Sequence, residues 1–173
     1  MCKIRFVIPL LVLLLACGSG VSRMHAADNP GGGFEILKSL VGEWDGKSQD
    51  GKKTHLSYRL VSGGTTVMEE FSVEGDPKMN MVTMYHPDGA QLLMTHYCMA
   101  NNQPRMAGKI TSKEPTTITF SFVSGTNMKS ANDGHMHHAV FQIPDKNSMT
   151  QEWTFQKDGK NTMQEVAQYK RSK

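Results

Sequence analysis

Cysteine is scarce in this chain. Of Cys2, Cys17 and Cys98, the first two lie within or at the end of an apolar leader, so the folded part holds a single thiol and no internal disulfide. In an oxidising compartment such a lone thiol is buried, ligated or paired with another molecule. Charge of one sign is missing too. Lys and Arg number 19 against 16 Asp and Glu, a formal net charge of +3, and without residues 1–17, which hold Lys3 and Arg5, the balance is 17 against 16. That composition carries no electrostatic footprint for nucleic acid. A long hydrophobic run is also absent: Phe6–Ala16 has eleven residues, against the roughly 20 that cross a bilayer as a helix. Nor is there a Gly-x-Ser-x-Gly elbow, a His-Glu-x-x-His pair or a phosphate loop, so the reading leans towards binding rather than catalysis.

What is present begins with export. Lys3 and Arg5 precede the apolar stretch in the manner of a secretory leader. Leu14-Leu15-Ala16-Cys17-Gly18 resembles the bacterial lipobox, which implies cleavage before Cys17 and lipidation of its thiol. On that expectation residues 1–17 are a signal peptide and the protein is a periplasmic or outer-membrane-anchored lipoprotein that meets the membrane only through its anchor. The alternative is ordinary cleavage near Ala26 or Ala27, where Met24 and His25 stand in positions that favour small residues. Residues 18–33, with Asp28-Asn29-Pro30-Gly31-Gly32-Gly33, read as a flexible tether. The domain is expected over residues 34–173, an ordinary length for one core.

Phe34, Leu37, Leu40 and Val41 recur at helical spacing and stop at Gly42, predicting a short opening helix. Beyond it the period changes to two. Nine turn signals, from Asp50-Gly51 and Ser62-Gly63-Gly64 to Pro144-Asp145-Lys146-Asn147 and Asp158-Gly159, divide the rest into ten candidate strands. Leu56, Tyr58 and Leu60 share one face; so do Ile118, Phe120 and Phe122, then Ala139, Phe141 and Ile143, then Trp153 and Phe155. One apolar and one polar face per strand marks an antiparallel sheet with a wet outside. Closing it removes exposed edges, so the predicted fold is an all-β, antiparallel up-and-down barrel of about ten strands with a short N-terminal helix. A two-sheet sandwich is the alternative.

The segment Leu40-Val41-Gly42-Glu43-Trp44-Asp45-Gly46 resembles the Gly-x-Trp opening of the calycin barrels, the lipocalins, fatty-acid-binding proteins and nitrobindin-like haem proteins. Lys170-Arg171 in the last strand is similar to the basic pair that lipocalins set over that tryptophan. The order Gly-x-Trp, Val61-Ser62-Gly63-Gly64, Met68-Glu69-Glu70 and Tyr85-His86-Pro87-Asp88-Gly89 is similar to a family of bacterial calycin-like domains of unknown function. The resemblance implies a barrel that binds a small ligand. Its nitrobindin branch implies haem and chemistry on nitrogen oxides, though no histidine here matches that haem ligand. A third class of function is an envelope protein-interaction module.

Extending the phase of Ile143, Phe141 and Ala139 backwards puts His137 and His135 on the inner face, roughly 7 Å apart along the backbone. His96 and Cys98 continue the phase of Leu92 and Met94 and face inward if that phase does; the opposite phase, Leu93, Thr95, Tyr97 and Met99, is nearly as apolar and is the alternative. Together His96, Cys98, His135 and His137 would form a nitrogen and sulfur site suited to zinc or copper. The plainer alternatives are rim histidines, a core histidine and a small buried thiol. Arg105 opens a strand after a polar turn and is a candidate fork for a ligand carboxylate or phosphate, with a structural bond to a neighbouring loop carboxylate as the alternative. Glu69 falls in phase with Val67, Phe71 and Val73, which would make it a buried carboxylate in need of a partner, with Arg105 or a histidine as candidates; a one-residue bulge that turns Glu69 outward is the alternative. The 13 methionines suit an irregular barrel interior better than a copper array, since no Met-x-x-Met run appears.

Overall fold

The computed structural model describes residues 30–89 and 91–172. The leader, Cys17 and the tether up to Asn29 lie outside the described residues. Helix α1 (Pro30–Ser39) is followed by ten strands: β1 (Gly42–Lys47), β2 (Lys53–Val61), β3 (Thr66–Val73), β4 (Asp76–Asp88), β5 (Gln91–Tyr97), β6 (Gln103–Lys113), β7 (Thr116–Thr126), β8 (His135–Asp145), β9 (Ser148–Lys157) and β10 (Lys160–Arg171). Each strand pairs antiparallel with the next, and β1 pairs with β10 to close the barrel. In that seam Trp44 stands opposite Arg171 and Gly46 opposite Tyr169. Closure decides against the sandwich.

Every one of the nine predicted breaks falls at a strand junction, because the turn residues and the period-two segments between them agree locally. Thr54, Leu56 and Tyr58 of β2 are buried while His55, Ser57 and Arg59 are not. Leu60 shares their phase but is 45% exposed, since it lies at the strand end, past the packed interior. Helix α1 starts four residues before Phe34. A proline is tolerated in a first helical turn, where its missing N–H has no partner to lose. Gly33 lets this helix approach the sheet, for a Cβ there would stand 3.3 Å from Leu92 Cδ2.

The helix seals one end of the barrel. Phe34, Leu37 and Leu40 are buried together with Trp44, whose Nε1 donates to the Leu40 carbonyl at 2.8 Å. The Arg171 guanidinium sits 4.3 Å from the Trp44 ring and donates to the carbonyls of Ser39, Val41 and Lys146 at 2.8–2.9 Å. Gly42 is required here: its φ is +130°, and a Cβ would come within 2.8 Å of Arg171 Nη1. The basic side chain over the tryptophan is therefore Arg171, as the calycin resemblance implies.

Candidate functional site

The other end of the barrel holds a cavity of about 200 Å³. Its walls include Phe71, Met81, Met136, Trp153 and Ala167, its polar groups include Thr54, Glu69, His96, Gln151 and Tyr169, and Asp50, Lys52, Asp76 and Glu165 stand among its outer residues. Gly46 positions one wall. A Cβ there would lie 2.4 Å from the Tyr169 ring, so only glycine lets that ring lie across β1.

Glu69 is the most constrained group. Strand β3 points it inward between Val67 and Phe71, and it is 2% exposed. Its Oε2 accepts from the Tyr58 hydroxyl, from the Tyr85 hydroxyl at 2.8 Å and from Gln151 Nε2 at 3.0 Å. Gln151 Nε2 also lies 2.6 Å from the Tyr58 oxygen, and Gln151 Oε1 accepts from Trp153 Nε1 at 3.0 Å. Oε1 of Glu69 takes no hydrogen bond among the described residues, and no Lys, Arg or His pairs with the carboxylate. Burial raises the Glu69 pKa above the usual carboxylate value, and the three hydrogen bonds only partly offset this. Burial and the neighbouring Glu69 charge push the Tyr58 and Tyr85 hydroxyls well above theirs, so both remain donors.

Two strands along the wall from Glu69, with Thr83 in register between them, stands His96, 4% exposed, its ring 4.8 Å from that of Trp153. Its Nδ1 is 2.9 Å from Thr83 Oγ1, whereas its Nε2, although fully enclosed, has no partner among the described residues. Burial lowers its pKa to about 4, so the imidazole is neutral at pH 7.

The predicted set of ligands does not gather at one place. Glu69 and His96 line the cavity, but Arg105 is exposed on the outer face, because strand alternation turns it away from its buried neighbours Pro104 and Met106. The partners of Glu69 are two tyrosines and a glutamine, not Arg105 or a histidine. His135 and His137 lie outside the cavity lining, packed against Phe122 with ring centroids 4.2 and 5.4 Å from it. A bulge between Met136 and His138 breaks the period-two phase and gives Met136 to the cavity instead. His135 is held by Nδ1 donating to the Asp133 carbonyl at 2.7 Å, and its Nε2 is 3.1 Å from His137 Nδ1. Those two nitrogens have the bite of a chelate. Yet among the described residues no group of three or more His, Cys, Asp or Glu side chains is placed to hold a metal ion. Cys98 is buried at the end of β5, its thiol pKa raised by that burial, and is not part of the cavity lining.

The residues that sequence reasoning missed are Tyr58, Tyr85 and Gln151. Tyr58 was in an inward set and Gln151 lies one step before Trp153 in the same phase, so their facing was legible although their meeting at Glu69 was not.

No family model matches the chain, and no curated protein matches it. Among solved structures, the fold is similar to that of a protein of unknown function from the DUF3598 family of Nostoc punctiforme. The identity is 13% and the TM-score 0.52, with 79% of this chain and 49% of that chain covered. This chain thus spans about half the length of the Nostoc protein. EF1p2_mFAP2b bound to DFHBI also matches, at 7% identity and a TM-score of 0.32, with 80% of this chain and 98% of that one covered. The first likeness shows the fold alone, and the second is too slight to carry an argument.

Proposed function

We propose that this calycin-like barrel holds a small, mainly apolar molecule with a polar head in the cavity at its unsealed end. The observation that carries the reading is the enclosed Nε2 of His96, which has no partner among the described residues. An unsatisfied buried polar atom costs about 1–3 kcal/mol, and native interiors retain few of them. Either imidazole tautomer leaves Nε2 needing a hydrogen-bond partner, as lone pair or as N–H. A ligand head supplies one. Apolar walls with a few convergent polar groups are the usual make-up of a small-molecule site.

The volume limits the ligand. Drug-sized molecules occupy pockets of about 300–1,000 Å³, so about 200 Å³ suits something smaller. Haem does not fit: it exceeds that space, and His96 is the one histidine among the cavity residues. Zinc or copper finds only the His135 and His137 pair and no third ligand beside it among the described residues. An envelope location is a further part of the proposal, resting on the leader and Cys17. Lipidated Cys17 at the N-terminus of membrane-fraction protein would support it in an intact-mass measurement.

Trp153 lines the cavity and Trp44 does not, which makes indole fluorescence a local probe. Titration with small aromatic alcohols should give a saturable change that is lost in Trp153→Phe and weakened at least tenfold in His96→Phe. Equal affinity in His96→Phe and wild type would remove the basis of the reading.

A further inference from the structure

The charges around the cavity point to the nature of its ligand. Four carboxylates belong to the lining, Asp50, Glu69, Asp76 and Glu165, against the single cation Lys52. Lys52 is already committed, with its Nζ 2.8 Å from Asp50, an ammonium that holds the Asp50 carboxyl down to about 2. Asp76 and Glu165 are left without an ion-pair partner among the described residues. An approaching cation is therefore drawn in, and an anion is repelled.

The interior continues that preference. Oε2 of Glu69 takes three hydrogen bonds while Oε1 takes none, so the carboxylate offers one unused oxygen in a place where it has no counter-charge. His96 adds no positive charge, being neutral, and its Nε2 is enclosed and unpartnered. Phe71, Trp153 and Tyr169 supply aromatic rings, whose faces attract cations. A buried carboxylate is best compensated by a cation that also hydrogen-bonds to it.

We infer that the cavity ligand is a small protonated amine with an apolar body, its N–H groups directed at Glu69 Oε1 and His96 Nε2. This rests on the small-ligand reading above and narrows it to one chemical class. An ammonium carries both the charge that Glu69 lacks and the several donors that two separate acceptors need. The acidic rim raises its local concentration, and the aromatic and thioether walls take the hydrocarbon part.

Three probes of nearly equal size separate the possibilities: benzylamine, benzyl alcohol and benzoate, titrated at pH 7 and low salt against the full chain with calorimetric readout. Benzylamine should bind at least tenfold tighter than benzyl alcohol, and benzoate should not bind measurably. Glu69→Gln should erase the preference for the amine over the alcohol. The paired rim change Asp76→Asn with Glu165→Gln, which touches no buried contact, should weaken benzylamine about threefold, flatten its salt dependence and leave benzyl alcohol unchanged. That rim variant carries the test if Glu69→Gln fails to fold. Benzyl alcohol binding as tightly as the amine, or benzoate binding better, would overturn the ammonium assignment while leaving the small-ligand reading intact. Failure of all three probes would overturn both.

Discussion

The two ends of this barrel are built on opposite principles. At the sealed end each strong polar group has its partner: the Trp44 indole has the Leu40 carbonyl, and Arg171 has three carbonyls and an aromatic face. At the cavity end, among the described residues, a carboxylate is buried with no counter-charge and an imidazole nitrogen is enclosed with nothing to bond. Both ends come from the same alternating strands. The difference lies in what fills the space between them, an apolar helix at one end and, at the other, a void with apolar walls, a few inward polar groups and an acidic rim. On the proposed reading, stability resides at the first and recognition at the second, as expected when a site keeps unfavourable features for its ligand to relieve.

The sharpest way to break this contrast is Trp44→Ala. Trp44 is fully buried, and deleting a large core aromatic costs about 3–5 kcal/mol. Urea unfolding should show that loss, with the ligand affinity of the remaining folded fraction unchanged. A loss below about 1 kcal/mol would mean that the sealed end is not what holds the barrel together.

Next in size is the pH dependence from Glu69. Its folded pKa is raised from 4.5 by burial, so the native state binds the proton more tightly than the unfolded chain. Stability therefore falls as pH rises from about 4.5 towards the folded pKa, and stays lower above it, by about 1.4 kcal/mol for each unit of elevation. Asp45, Asp133 and Asp145 are lowered from 3.8; their contribution is present above that value and is lost as pH falls below it, in a separate window. Melting temperatures of wild type and Glu69→Gln across pH 4–8 should diverge in slope only in the Glu69 window. Parallel curves would show that Glu69 is not titrating as a buried acid.

Arg105→Ala should do the least. Exposed on the outer face of β6, it should change stability by no more than about 0.5 kcal/mol and leave ligand affinity as it was. A clear loss of binding there would place the recognition surface on the outside of the barrel.

The architecture was legible because its signals are local. Asn132-Asp133-Gly134 turns and Ile118, Phe120 alternate whatever the rest of the chain does, and the Gly42 to Trp44 segment carried the seam. The site was legible only where it obeyed the same period, as at Glu69 and His96. It failed at Met136-His137-His138, where one extra residue in the strand brings Met136 to the cavity while His135 stays buried outside its lining, and no composition signal marks the place. Arg105 failed for a different reason: a turn sequence locates a strand end but not which face its first side chains take. Tyr58 and Tyr85 reach the Glu69 oxygen from the two strands that flank β3, but Gln151 reaches it from β9, 82 positions away, and period-two reasoning assigns a face without assigning neighbours.

The closing seam has a kinetic side. Ser172 Oγ bonds to Asp45, a partner 127 positions away, and the Trp44 to Arg171 pairing is similarly remote. Nothing between those strands can substitute for the contact, so β1 has one unpaired edge until β10 has been made and has found it. Loops of that span are slow to close, in the millisecond-to-second range typical of non-local β topologies, and an edge left waiting invites pairing with another chain. Refolding of this barrel should therefore be rate-limited by the zipping of its first strand to its last, with yields that drop as protein concentration rises.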